Sequence, residues 1–363
     1  MPKRTPGHHP NKPPVPTLLP AITQALMDAA RRFHKLAPWT WMHDSQLVGL
    51  RDPVTDEPLL CSILGRQRTV FALLVYRRTS GRRWILNTIM NDDEPDGFED
   101  GDSALEQDCV KLEFVAKREL TSEDRALLDT ARFTPAVPRG TVWPVVRSLV
   151  PGGYPWYPTQ AEVELLLHAL PRAAAFAALC RATPDLNVDL ATGEVAFLPA
   201  DFDPAQRELR TEDLDWQPQI PPPEAPLEPV RLEVELLEQL ARLPQAANFR
   251  LELDVFYAPM AVGGVERPYF PKAVMAVDRE TGIIGGFQLA ALDDAQGAAA
   301  LGQAIASMLQ QRTQRPLALH VQRPRVGAML ADLARKLAIP IRLETELAVL
   351  NEARTAVARM IPG

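Results

Sequence analysis

The sequence predicts a two-part chain: an α+β N-terminal domain on an antiparallel sheet, then an α/β domain whose elements run βββαβαβα. Three observations carry this. The 363 residues exceed what one hydrophobic core usually serves. The first half holds short apolar runs parted by turn residues, whereas in the second half strand-like runs alternate with helical periods. Between the halves, residues 216–230 carry six prolines, the composition of a stiff, extended connection.

Residues 1–20 hold seven prolines without apolar periodicity and read as a disordered or polyproline-like tail. The first domain, 21–181, opens with a helix, because Ile22, Leu26, Ala29, Ala30 and Phe33 recur at helical spacing before Pro38. Runs at 46–51, 59–64, 69–76, 84–90 and 110–116 have strand character and the spacing of an antiparallel meander, with Arg77–Arg83 at a hairpin tip. Trp39 and Trp41 bury one face of an entering strand. A capping box at Thr121–Asp124 starts a short helix. Residues 134–158 contain six prolines and four aromatic side chains but no regular period, which predicts an ordered crossing segment anchored by Trp143, Tyr154, Trp156 and Tyr157. A second capping box, Thr159–Glu162, opens a helix to about Leu179 that includes Pro171.

Residues 182–230 read as a hairpin-like piece and the proline-rich linker, and the second domain spans 231–363. Its helix with Leu232, Leu236, Leu237, Leu240 and Leu243 precedes strands at 249–257, 272–278 and 283–290. A helix capped by Asp293 or Asp294 follows, then strand 317–322, helix 325–338, strand 339–343 and helix 346–361. The pattern Asp-x-x-Thr recurs at Asp52, Asp189 and Asp278, each followed by Gly or Asp, and reads as three hairpin turns.

Acidic residues outnumber basic ones 46 to 39, a net charge of −7 that gives no global attraction for phosphate backbones. The three cysteines form no C-x-x-C pair, so neither a disulfide framework nor a thiolate zinc site is encoded. No signal peptide is expected, and no run of 18 apolar residues suggests a membrane span, so the expected compartment is the cytoplasm. Motifs for the common hydrolases, metalloproteases, P-loop enzymes and dehydrogenases are missing.

Three sites are candidates. Arg77, Arg78, Arg82 and Arg83 could grip a phosphate or a nucleic-acid backbone. The acidic stretch 91–108 has nine carboxylates, yet Pro95 and Ser103 break a calcium loop, and it is read as solvated or as neutralising those arginines. Arg139, Trp143, Arg147 and Tyr154 form a possible contact surface, with Trp143 as anchor and the two arginines outward.

The stretches P-W-T-W-M-H-D (38–44), R-D-P-V-T-D-E (51–57), S-I-L-G (62–65) and above all R-G-T-V-W-P-V-V-R-S-L-V-P-G-G-Y-P (139–155) resemble an uncharacterised bacterial two-domain family. Its C-terminal part is similar to residues 249–363, and the resemblance implies no activity. The element order of that second domain independently resembles the ribonuclease H-like fold, which implies a two-metal phosphodiesterase site with a carboxylate on the first strand. Asp254 matches that position, with Glu252 on the same face, but His320-Val321-Gln322-Arg323 stands where the next acid belongs. Glu346 or Glu352 would be the last-helix acid.

The preferred reading is therefore a non-catalytic binding protein with a degenerate ribonuclease H-like domain, a protein partner and no metal or cofactor. The alternatives are a nuclease using Asp254 and Glu352 with Mg²⁺ or Mn²⁺, and a phosphate or nucleic-acid site at Arg77–Arg83.

Overall fold

The computed structural model describes residues 13–90, 102–135, 140–186, 188, 193–223, 228–263, 266–290 and 294–360. The chain divides into two units, residues 1–223 with 265–267, and residues 224–264 with 268–363.

In the first unit a seven-stranded sheet runs β5-β4-β3-β2-β1-β6-β7. Its strands are β1 (Val48–Arg51), β2 (Pro58–Leu64), β3 (Phe71–Tyr76), β4 (Cys109–Ala116), β5 (Thr141–Leu149), β6 (Glu194–Phe197) and β7 (Asp215–Pro218). Strands β1 to β4 pair antiparallel, as expected for the runs at 46–51, 59–64, 69–76 and 110–116, and β5 extends this meander; β6 lies between β1, in parallel, and β7, antiparallel. One face is covered by α1 (Pro20–Leu36), α3 (Ser122–Thr130) and α4 (Gln160–Ala182), whose Leu26, Phe33, Leu128, Leu166 and Phe176 meet Leu50, Ile63, Leu73 and Leu112. On the other face, Ile85 and Leu86 of α2 (Arg78–Met90) meet Leu60, Leu74 and Tyr76. Both predicted capping boxes close, Thr121 with Asp124 and Thr159 with Glu162.

Local expectations are corrected at several points. Residues 84–90 are not a strand but the body of α2, and Arg78–Arg83 occupies its first turns instead of a hairpin tip. In its first turn the Asp108 carbonyl lies where a side chain at Gly81 would be, so the position takes glycine. Trp39 lies in a 3₁₀ turn, Pro38–Thr40, not in a strand. The crossing segment contains β5, and Pro144 is tolerated because β5 is an edge strand. The proline-rich stretch begins as part of β7, and β6 pairs in parallel with β1; the first arm of the expected hairpin falls on residues 187 and 189–192, outside the described residues.

Of the three Asp-x-x-Thr turns, those at Asp52 and Asp278 join antiparallel neighbours, and each carboxylate accepts a backbone N–H two residues on. Asp189 lies outside the described residues.

The second unit holds α5 (Val234–Ala241), β8 (Leu251–Tyr257), β9 (Lys272–Asp278), β10 (Ile284–Ala290), α6 (Asp294–Arg312), β11 (Leu319–Val321), α7 (Pro324–Lys336), β12 (Ile341–Leu343) and α8 (Ala348–Met360). The sheet order is β10-β9-β8-β11-β12, antiparallel across the first three strands and parallel across the last two pairs. Leu251, Leu253, Val274, Ala276 and Leu319 face α5, α6 and α7 through Leu240, Leu301, Ile305 and Leu330. The opposite face presents Phe256, Met275 and Val277 to Leu347, Leu350 and Ala353 on and beside α8.

Candidate functional site

Two buried polar clusters stand out, one in each unit. In the first, Arg77 at the end of β3 is buried, and its guanidinium donates to Asp108 (3.1 Å) and Ser148 (3.2 Å) and pairs with Glu162 at 2.5 Å. Asp108 also accepts from Arg78, through Nε at 2.7 Å and Nη2 at 2.5 Å, and from the Ser80 hydroxyl at 2.6 Å. Glu162 accepts from Ser148 at 2.6 Å and from the Thr159 backbone N–H at 2.8 Å. Burial alone would raise the Glu162 carboxyl, but Arg77, Ser148 and Thr159 hold it below its ordinary value.

This changes the reading of the predicted arginines. Arg77 and Arg78 are consumed by carboxylates, and Asp108, the last acid of the stretch 91–108, is the group that neutralises them. Arg83 donates to the Pro222 carbonyl, and the Arg82 Nε is buried with no hydrogen-bond partner. Residues 91–101, and with them most of the candidate calcium loop, lie outside the described residues, as does Arg139. Arg147 is not outward either: it is bound to Asp124 and lies 4.8 Å from the Tyr157 ring centre. Trp143 is half-buried beside Phe133 and under the Lys117 ammonium, whereas Tyr154 is 45% exposed.

In the second unit, the two-residue period of β8 puts Glu252 and Asp254 on the α8 face, as the sequence predicts. Both are fully buried rather than solvent-facing. Asp254 lies 3.5 Å from the Arg323 Nε, just beyond β11, and 3.5 Å from an Nη of Arg354 on α8. Arg354 in turn stacks 4.0 Å from the Phe256 ring centre, and Arg323 donates to the Val255 carbonyl. Glu252 accepts the Leu350 N–H at 2.8 Å, so it caps the first turn of α8, and lies 3.5 Å from the Arg279 Nε.

Beside Glu252, His320 on β11 holds Glu344 through Nδ1 at 2.6 Å, and that bond together with Arg279 lowers the Glu344 carboxyl. The His320 Nε2 is buried without a partner. The last-helix acids do not join the cluster: Glu346 and Glu352 are exposed, and α8 contributes Arg354 instead. Sequence reasoning missed Arg354, although it follows the buried Ala353 and stands one turn after Leu350.

Among the described residues, no group of three or more His, Cys, Asp and Glu side chains is placed to hold a metal ion. An open groove of about 410 Å³ between α1 and α4 is lined by Phe33, Leu36, Leu170, Pro171 and Pro204 and by no residue of either cluster. The apolar helix α4 has the length and hydropathy of a membrane span, yet its Val163, Leu166, Leu170 and Phe176 are buried in the core.

The molecule is thus a mixed α+β protein with two mixed sheets, in which each sheet carries a buried, arginine-balanced carboxylate cluster. Residues 24–197 match a domain of unknown function (DUF7309) and residues 236–358 a second one (DUF6930). Together the matches fit an uncharacterised two-domain family. No curated protein and no solved structure matches the chain.

Proposed function

We propose that this chain is a non-catalytic protein-binding protein of the bacterial cytoplasm whose second unit is a ribonuclease H-like domain without nuclease chemistry. The fold part of this reading is supported by the order β10-β9-β8-β11-β12 and by an acid on the central strand β8. The functional part rests on one observation: the Asp254 carboxylate lies between two guanidiniums, Arg323 and Arg354, each at 3.5 Å. A two-metal site needs several carboxylates to offset two divalent cations, and here fixed positive charges flank the first acid while Glu252 is engaged by α8. The residues present do not fit a metal pair. The proposed protein contact includes Tyr154, exposed on the loop after β5.

The test is a melting curve with and without Mn²⁺, beside cleavage assays on single-stranded, double-stranded and hybrid nucleic acid. A metal bound only by the native state raises the melting point. The expected result is no rise and no cleavage, with Asp254→Asn lowering the melting point because two guanidiniums lose their counter-charge. A Mn²⁺-dependent rise and a cleavage rate that Asp254→Asn both abolishes would establish the nuclease reading instead.

A further inference from the structure

Each sheet ends in two edge strands, and three of the four are blunted in ways that resist further pairing. The β5 edge carries Pro144 and Arg147, β7 carries Asp215 and Pro218, and β12 is three residues long with Arg342 at its centre. The fourth, β10, reads Ile-Gly-Gly-Phe-Gln-Leu-Ala, with neither charge nor proline. Four of the exposed large apolar side chains among the described residues lie on it or just before it: Ile283 is 54% exposed, Ile284 39%, Phe287 38% and Leu289 49%.

The two faces of β10 differ. Toward α6, Gly286 brings the strand close to Ala304, and Gln288 donates to Gln303 at 3.3 Å. Phe287 and Leu289 lie opposite Met275 and Ala273 of β9, hence on the α8 side of the sheet. There they remain solvent-exposed. The irregularity of β10 falls between Ile284 and Gly286, which leaves Gly286–Ala290 in unbroken register, with an outer edge paired by no strand among the described residues.

We propose that β10 is the surface through which two copies of this chain associate, pairing antiparallel about a two-fold axis at Gln288. The unpaired N–H and C=O groups of an edge strand specify an extended strand as the occupant. Charge selects which strand. In a two-fold pair each side chain meets the same short sequence, so a charged strand would set like charges opposite or diagonal to each other, and β10 has none. About Gln288, Phe287 of one copy stands across from Leu289 of the second, and Gly286 across from Ala290. Both exposed apolar side chains thereby gain an apolar neighbour on the same face.

Sedimentation of the full chain over a dilution series tests this. The expected outcome is a concentration-dependent monomer–dimer equilibrium for the native sequence. Leu289→Lys, whose side chain is exposed, should leave the melting curve unchanged at protein concentrations where the chain is monomeric, and weaken dimerisation by about tenfold or more through like charges across the axis. A cysteine scan adds geometry: Gln288→Cys should form a disulfide-linked dimer under mild oxidation, because directly opposed strand residues have the spacing a disulfide requires. Leu343→Cys, at a position 62% exposed on β12 at the opposite edge of the same sheet, should not. A chain that stays monomeric throughout the series overturns the proposal. So does a dimer that Leu289→Lys leaves intact, or equal cross-linking at positions 288 and 343.

Discussion

Arg147 on β5 grips Asp124 in the first turn of α3 through two hydrogen bonds of 2.7 Å, one to each carboxylate oxygen. The same carboxylate accepts the Thr121 N–H that completes the capping box. One buried acid therefore fixes both the start of a helix and its attachment to an edge strand. Burial alone would raise the Asp124 carboxyl, but Arg147 and Thr121 keep it below its ordinary value.

Removing the arginine leaves Asp124 almost fully buried without its counter-charge. Arg147→Ala should cost about 3 kcal/mol of stability. Urea unfolding is the check, and a midpoint equal to that of the native sequence would mean that the pair is solvated in solution.

Asp124 and Glu162 both have folded-state carboxyl values below the unfolded ones. Their contribution is therefore present above the unfolded value, roughly pH 4, and is lost as the pH falls through the folded one. The urea midpoint should decline on acidification below that point. In Glu162→Gln it should start lower at pH 7 and fall less steeply, and parallel acid limbs for the two proteins would remove Glu162 from the account.

The glycines of β10 separate two kinds of crowding. A methyl group at Gly286 would lie 2.5 Å from the Ala304 Cβ and 2.9 Å from its Cα, so α6 itself must move. Gly286→Ala should cost about 2 kcal/mol. Gly285→Ala meets the end of the flexible Met308 side chain and should cost less. Thermal unfolding of both variants gives the order, and the reverse order would show that α6 lies farther from β10.

Trp143 contacts Phe133 and Lys117 but is only half-buried. Trp143→Ala should accordingly cost about 2 kcal/mol, less than the 3–5 typical of a fully enclosed tryptophan. Differential scanning calorimetry measures it; a loss at or above that upper range would place the ring deeper in the core.

The order of elements in the second unit was legible because each apolar run there is flanked by turn residues and its period changes cleanly from 2 to 3.6. Both capping boxes were legible for the same local reason. The run Trp84–Met90 was not, since a short apolar stretch fits a buried strand as well as a helix, and what it packs against, Leu60, Leu74 and Tyr76, is distant in sequence. Strand β5 was hidden by Pro144, whose edge position no local pattern reveals. In the second unit Glu252 and Asp254 could be found by strand period, whereas Arg323 and Arg354 reach Asp254 only once β11 and α8 have docked.

The parallel pairing of β1 with β6 joins residues 48–51 to 194–197, so the first sheet closes late in synthesis. Until the ribosome has released residues 194–218, the β1 edge waits without its neighbour, and long loop closure makes that step slow. A fragment cut at residue 197 would end within the sheet: β6 would lose β7 and become an open edge. The folding unit is thus longer than its family match, and any attempt to express the first half alone should run past Pro218.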